Sequence, residues 1–251
     1  MKPRIFYDNR LADGTPVAST TATGDFYANN LTDFRPYTWW KPTALPATVT
    51  VDCATAKAAD SCFVYGHDLF TQSATFEVRG STDNFSASNV LVSTVTPTSN
   101  DPFALIFAST SFRYWRVRIT GSTMPSLAIV AIGVRLELPG TMQLDFDPLG
   151  RTLMGQVNTN DNGQPLGKVI DYASWKGQIT FKRMTWAQLR STFMPAYNAH
   201  LRAKPFGWQW HAGVDSVPYL VTMDDKLQTT HYTEYATDVS FGLQAVLGTT
   251  F

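Results

Sequence analysis

Only two cysteines, Cys53 and Cys62, occur in this chain. That is too few for a disulfide-built scaffold, and they lack the partners of a zinc site; both read as reduced, buried, small apolar residues. An excess of one charge is also missing, because twenty Lys and Arg balance twenty Asp and Glu. The balance excludes the basic face of a nucleic-acid binder or of a reader of anionic membranes. No apolar run approaches the ~20 residues that cross a bilayer, and the opening "MKPRIFYDNR" carries no apolar core of signal-peptide length. The expectation is a soluble product made in the cytosol, with no membrane insertion.

Catalytic signatures are equally scarce. The four histidines, at 67, 200, 211 and 231, make no metal-ligand spacing with one another, with cysteine or with carboxylates. No G-x-S-x-G elbow, Walker-type loop or dinucleotide fingerprint is present. Asp145 and Asp147 alternate on "LDFDP" and could share a hard cation such as calcium. A polar edge turning at Asp147-Pro148 is the plainer reading of the same residues. No cofactor and no enzyme activity are expected.

What the chain has is β-branched and aromatic residues in short alternating runs. "VTVD" (49–52), "CFVYG" (62–66), "ATFEVRGS" (74–81) and "VLVSTV" (90–95) all show the period of two. In "YWRVRITG" (114–121), Trp115, Val117 and Ile119 share one face while Arg116, Arg118 and Thr120 share the other. "LAIVAIGVRLEL" (127–138) starts as a continuous apolar run, as a strand covered on both faces would. Separated by turn-forming clusters, these runs predict an antiparallel sandwich.

Beyond residue 138 the texture changes. "NTNDNGQPLG" (158–167) reads as an exposed loop, and "GQITFKR" places Ile179 and Phe181 on one side of a strand. Thr185 and Gln188 fit a capping box at the head of one helix, 185–201, in which Trp186, Leu189, Phe193, Tyr197 and Leu201 form an apolar stripe. Pro195 predicts a kink or break there. "PYLVTM" then aligns Tyr219, Val221 and Met223, and "DVSFGLQAVL" aligns Val239, Phe241, Leu243, Ala245 and Leu247.

Several segments in order resemble the discoidin, or coagulation-factor-type C, family of galactose-binding-like jelly rolls. They are "ASTTATGDFYANNLTD", "YTWWKP", "VTVDCATAKAADSCFVYGHDL", "FEVRGSTDNF", "FRYWRVRITG" and "IVAIGVRLEL". Asn29 or Asn30, Trp39 or Trp40, Asp52, the turn at 80–83 and the run Arg113-Tyr114-Trp115-Arg116 stand at the family's characteristic places. Cys53-Ala54 departs from its usual apolar residue and glycine. The whole order, through "FDPLGR" and "PLGKVIDYASWKGQITFKRMTWAQLRSTFMPAY", is similar to tailed-bacteriophage structural proteins that join such a domain to a tail-tip domain.

These resemblances imply a mainly β chain: a discoidin-like jelly-roll β-sandwich over 1–138, then a tail-tube or distal-tail-like β-sandwich with one α-helix over 139–251. They imply a virion protein of the phage tail tip that assembles with itself, as a homo-hexameric ring, and meets the tail tube and hub proteins. On this reading Trp186, Leu189, Phe193 and Tyr197 belong to the helix core or interface. The alternative is a carbohydrate-binding module for host-surface glycans, with Tyr37, Trp39, Trp40 and His67 on the binding loops. Neighbouring strand residues face opposite ways, so at most one of Trp39 and Trp40 packs inward.

Overall fold

The computed structural model describes residues 3–138, 141–142, 150, 152–211, 217–224, 226–233 and 236–247. They are mainly β, with one longer helical stretch and two short 3-10 turns (Arg10–Ala12 and Ala28–Thr32), and divide into two compact units. Unit 1 comprises Pro3–Glu137 together with Phe206–Pro218, and unit 2 comprises Leu138–Pro205 and Tyr219–Phe251. Where the sequence suggests one border, the chain thus passes between units more than once.

Unit 1 contains β1 (Arg4–Phe6), β2 (Val17–Ala18), β3 (Ala47–His67), β4 (Thr75–Ser81), β5 (Val90–Val95), β6 (Phe103–Thr120), β7 (Leu127–Gly133) and β8 (Leu136–Glu137). Its main antiparallel sheet runs β2-β3-β6-β4-β5, and β7 pairs with the second half of β3. The alternation predicted for β6 is kept: Trp115, Val117 and Ile119 are buried, and they meet Val51, Val49 and Ala47 of β3 in direct register. The register slips between Asp52 and Lys57, where Ala54 takes a positive φ of 61°. Such bulges bend a strand, and beyond this one β3 adds β7 to its pairing.

One core cluster joins the inner faces of both stretches, including Trp40, Phe76, Trp115, Val64, Val130 and Ile132. Removing large apolar side chains such as these from water supplies about 1.5–3 kcal/mol each. Every residue of β7 is buried. On its other face Ala131 stands beside Phe63 of β3, which stacks on Phe6 of β1 with ring centroids 5.8 Å apart; β1 pairs with β8 and with β12 (Phe206–Gln209). This double cover explains the unbroken apolar run in the sequence.

Unit 2 contains β9 (Thr141–Met142), β10 (Thr152–Thr159), β11 (Pro165–Thr185), a helical stretch α1 (residues 186–201), β13 (Tyr219–Met223), β14 (Gln228–Thr233) and β15 (Ala236–Leu247). β15 is flanked by β11, β13 and β14, and β10 pairs with β11 as a long hairpin. The expected loop at 158–167 contracts to the tip of this hairpin. Asn160 closes the tip by accepting the backbone N–H groups of Asn162 and Gln164.

α1 begins with the predicted capping box: Gln188 N donates to Thr185 Oγ1 at 3.2 Å, and Thr185 N donates to Gln188 Oε1 at 3.1 Å. The chain does not break at Pro195. It alternates α turns with wider π turns (Leu189–Phe193 and Tyr197–Leu201) and so continues past the residue that lacks an N–H. Leu189, Phe193 and Leu201 are buried, and Phe193 stacks on Phe241 of β15 at 5.6 Å. Val239, Phe241, Leu243 and Ala245 line one buried face as the alternation predicts, and the Leu247 side chain lies outside those described.

Candidate functional site

The outward face of the unit 1 sheet is polar because β3, β4 and β6 alternate in register. Three cross-strand rows result: Thr48, Arg118 and Glu77; Thr50, Arg116 and Arg79; Asp52, Tyr114 and Ser81. Over the first strands of this face lies a concavity of about 450 Å³, lined by Thr15, Val17, Ser19, Asn84 and residues of the three rows, among them Tyr114 and Arg116. β2 forms one wall, fixed where Thr48 N donates to Ser19 Oγ at 2.9 Å.

Arg116 is held from two sides. Its Nε donates to Thr50 Oγ1 at 2.7 Å, and its Cζ stands 3.6 Å from the centroid of the Phe85 ring. At that separation the guanidinium is in contact with the ring face, which favours a cation. Phe85 reaches this position because Asn84 and Phe85 both adopt positive φ, 57° and 63°. Side chains without glycine's freedom hold that backbone only when their surroundings enforce it. Here buried Ser81 accepts the N–H groups of Asp83 and Phe85, and the Asp83 carboxylate accepts those of Ala87 and Ser88. The "GSTD" turn therefore braces the loop. Gly80 adds space: a Cβ there would collide with the Phe112 ring, which packs edge-on against Trp115 at 5.5 Å.

Asp52 is the one carboxylate among the lining residues. Arg113 grips it with both ends of the guanidinium, Nε to Oδ1 and Nη2 to Oδ2, each at 2.8 Å. These charge-assisted bonds, together with the N–H of Ala54, hold its pKa down to about 2. Asp52 is thus ionised and neutralised in place.

No family model matches the chain, and no curated protein matches it. Solved structures do resemble it. Chitosan-binding module 1 of a chitosanase/glucanase from Paenibacillus sp. IK-5 is 18% identical, with a TM-score of 0.42 over 49% of this chain and 97% of the module. The family 32 CBM of Clostridium perfringens NanJ, solved with galactose, is 16% identical, with a TM-score of 0.43 over 51% of this chain and 98% of its own. The CBM32 of AlyQ, solved with 4,5-unsaturated mannuronic acid, is 24% identical, with a TM-score of 0.39 over 47% and 92%.

The loop residues singled out from the sequence do not converge on the concavity. Trp40 is fully buried, bridged to Leu127 by N–H···O bonds of 2.8 and 3.0 Å. His67 is also buried: its Nε2 stands 2.9 Å from Asp101 O, its ring packs edge-on against Phe103, and burial pulls its pKa below 6.5. Both belong to the interior because they flank Leu127 on the same face of the sheet. Trp39 is half-buried beside Gly66, whose positive φ of 65° and close approach to the Ala128 Cβ both favour glycine, and Tyr37 projects into solvent at 71% exposure. Asn30 ties this loop down by donating to Trp39 O at 2.8 Å.

Of the helix residues, Leu189 and Phe193 are core and Tyr197 stacks on Phe193 at 6.0 Å. Trp186 departs from the predicted stripe. It remains exposed, edge-on to His231 of β14 and beneath Arg190. Asp145 and Asp147 lie outside the described residues. Among the described residues, no three His, Cys, Asp or Glu side chains are grouped to hold a metal ion. Cys53 and Cys62 are buried free thiols, and burial raises the pKa of Cys53 to about 11. Among the described residues, no helix is long and apolar enough to cross a membrane.

Sequence reasoning passed over the concavity, although its signal was present. Alternation alone puts Arg116 and Thr50 outward, but their adjacency across strands depends on a register the sequence does not display.

Proposed function

We propose that the chain is a carbohydrate-binding protein and that the concavity of unit 1 receives the sugar. The observation that carries this is the composition and rigidity of the lining. Hydroxyls of Thr15, Ser19, Thr48, Thr50 and Tyr114 and the Asn84 amide surround a braced guanidinium, while Val17 and the Tyr114 ring offer apolar surface. A sugar needs many short neutral hydrogen bonds and one apolar patch for its C–H face. The volume of about 450 Å³ suits one or two sugar rings.

The role is binding and not turnover. Hydrolysis of a glycosidic bond uses two carboxyl groups, one protonated, across the bond. Asp52 alone lines the concavity, and Arg113 keeps it ionised. A glycan array probed with the full chain tests the proposal. Binding that is lost in Tyr114→Ala and kept in Trp39→Ala supports it; no binding to any glycan, or binding lost only in Trp39→Ala, contradicts it.

A second reading, self-assembly as a phage tail-tip virion protein, is favoured by the β10-β11 hairpin. Leu153, Met154, Val157, Leu166, Val169, Ile170 and Tyr172 are all exposed on it. β10, "TLMGQVNT", carries no charge and no proline, so it lacks the residues that usually guard a sheet edge. On this reading copies join through the hairpin into a ring that contacts the tail tube and hub, and the sandwich meets glycans of the host. Light scattering followed by negative-stain imaging tests it: closed rings support assembly, and a monomer at all concentrations with no ring on the grid contradicts it.

A further inference from the structure

Six arginines of unit 1 hold a carboxylate: Arg4, Arg10, Arg79, Arg113, Arg118 and Arg135 each lie within 3.2 Å of an Asp or Glu oxygen. Arg116 does not. It makes one hydrogen bond, to a neutral hydroxyl, and rests on an aromatic ring, and its two Nη groups have no acceptor among the described residues. It is also half-buried and lines the concavity.

The charges around it do not offset it. Arg79 is its direct cross-strand partner and acts on it as a like charge. Arg79 and Arg118 share the single carboxylate of Glu77, at 2.7 and 3.1 Å. Asp52 is neutralised by Arg113, and the Asp83 carboxylate is turned to the backbone N–H groups of its own loop. Three arginines against one glutamate leave this stretch of the sheet positive.

A partly desolvated guanidinium without a counter-charge is costly, and a braced loop that maintains one points to a ligand that supplies it. The planar fork of free N–H groups matches a carboxylate in two parallel bonds. We infer that the concavity selects acidic sugars, with the carboxylate of a uronic or sialic acid residue seated on Arg116. This rests on the carbohydrate-binding reading and names the class of sugar it takes. Phe85 and Thr50 act as positioning residues, since they fix the plane of the fork.

The test is an array in which uronic-acid and sialic-acid oligosaccharides stand beside their carboxyl-reduced counterparts, followed by calorimetry on the best pair. The wild-type chain is expected to favour the acidic member by about tenfold or more, as a charge-assisted bidentate pair would give. Arg116→Gln should erase that preference, and Arg116→Lys should recover only part of it because a point charge lacks the fork. Thermal melts confirm that each variant is folded, and Arg116→Lys keeps the test informative if Arg116→Gln is not. Equal binding of both members overturns the acidic-sugar inference and leaves the carbohydrate reading standing. Failure to bind either member or any neutral glycan overturns both. An acidic preference that survives in a folded Arg116→Gln protein also overturns the inference.

Discussion

Phe85 lies beneath Arg116 with its ring centroid 3.6 Å from Cζ, and it does so from a backbone conformation that few phenylalanines adopt. The two residues are far apart in sequence, one in the β4-β5 loop and one in β6. Their contact turns a flexible side chain into a fixed donor, which is how preorganisation gains affinity without adding a contact to the ligand. Phe85→Ala should therefore weaken acidic-glycan binding by roughly three- to tenfold. Its melting temperature should change little, because the loop is solvent-facing. Calorimetry and a thermal melt check the two halves, and unchanged affinity would show that the stacking positions nothing.

Neighbouring indoles should respond differently to truncation. Trp40 is fully buried, so Trp40→Ala should cost about 3–5 kcal/mol. Trp39 covers Gly66 from the half-exposed side, and Trp39→Ala should cost about 1 kcal/mol or less. Urea unfolding of both variants measures the difference, and equal losses would contradict the assignment of one indole to the core.

His67 predicts a pH dependence of stability. Burial lowers its folded-state pKa below the 6.5 of the unfolded chain. The folded form therefore binds fewer protons, and its contribution is complete above pH 6.5 and lost as the pH falls toward the folded value. Melting temperatures from pH 8 to pH 5 should fall below pH 6.5, and His67→Gln should flatten that fall. Asp52, with its pKa near 2, acts only in far stronger acid and does not mask the effect.

Unit 2 offers a paired contrast. Phe193→Asp places a charge against Phe241 in a buried stack and should cost about 4 kcal/mol or more. Leu166→Glu and Val157→Glu, on the exposed hairpin, should change the unfolding free energy by no more than about 0.5 kcal/mol. If the hairpin is the assembly surface, these two variants lower the mass seen by light scattering. An unchanged mass in an oligomeric protein would place the interface elsewhere.

How far the sequence disclosed this structure differs from element to element. The alternation in β6 and β15 gave the buried faces residue by residue, because one side of each is wet. The capping box located the start of α1, since its two hydrogen bonds are local. Pro195 did not end the helix, because neighbouring π turns accommodate a missing N–H in a way that periodicity cannot show. Of Trp39 and Trp40 the alternation allows one to pack inward, and it is Trp40; His67 looked like a loop residue, yet it is interior too, since both flank the same strand position, Leu127. The Arg116 concavity was least visible of all. It depends on three strands in register and on a strained loop, and each is a relation between distant residues.

The most direct test of the central claim is a crystal structure of the full chain soaked with the strongest glycan from the array. The account predicts sugar density in the concavity, with hydroxyls toward Thr48, Thr50 and Asn84 and an acidic group on Arg116. Density on the Tyr37–Trp39 loop with the concavity empty, or no ordered sugar at saturating concentration, would contradict it.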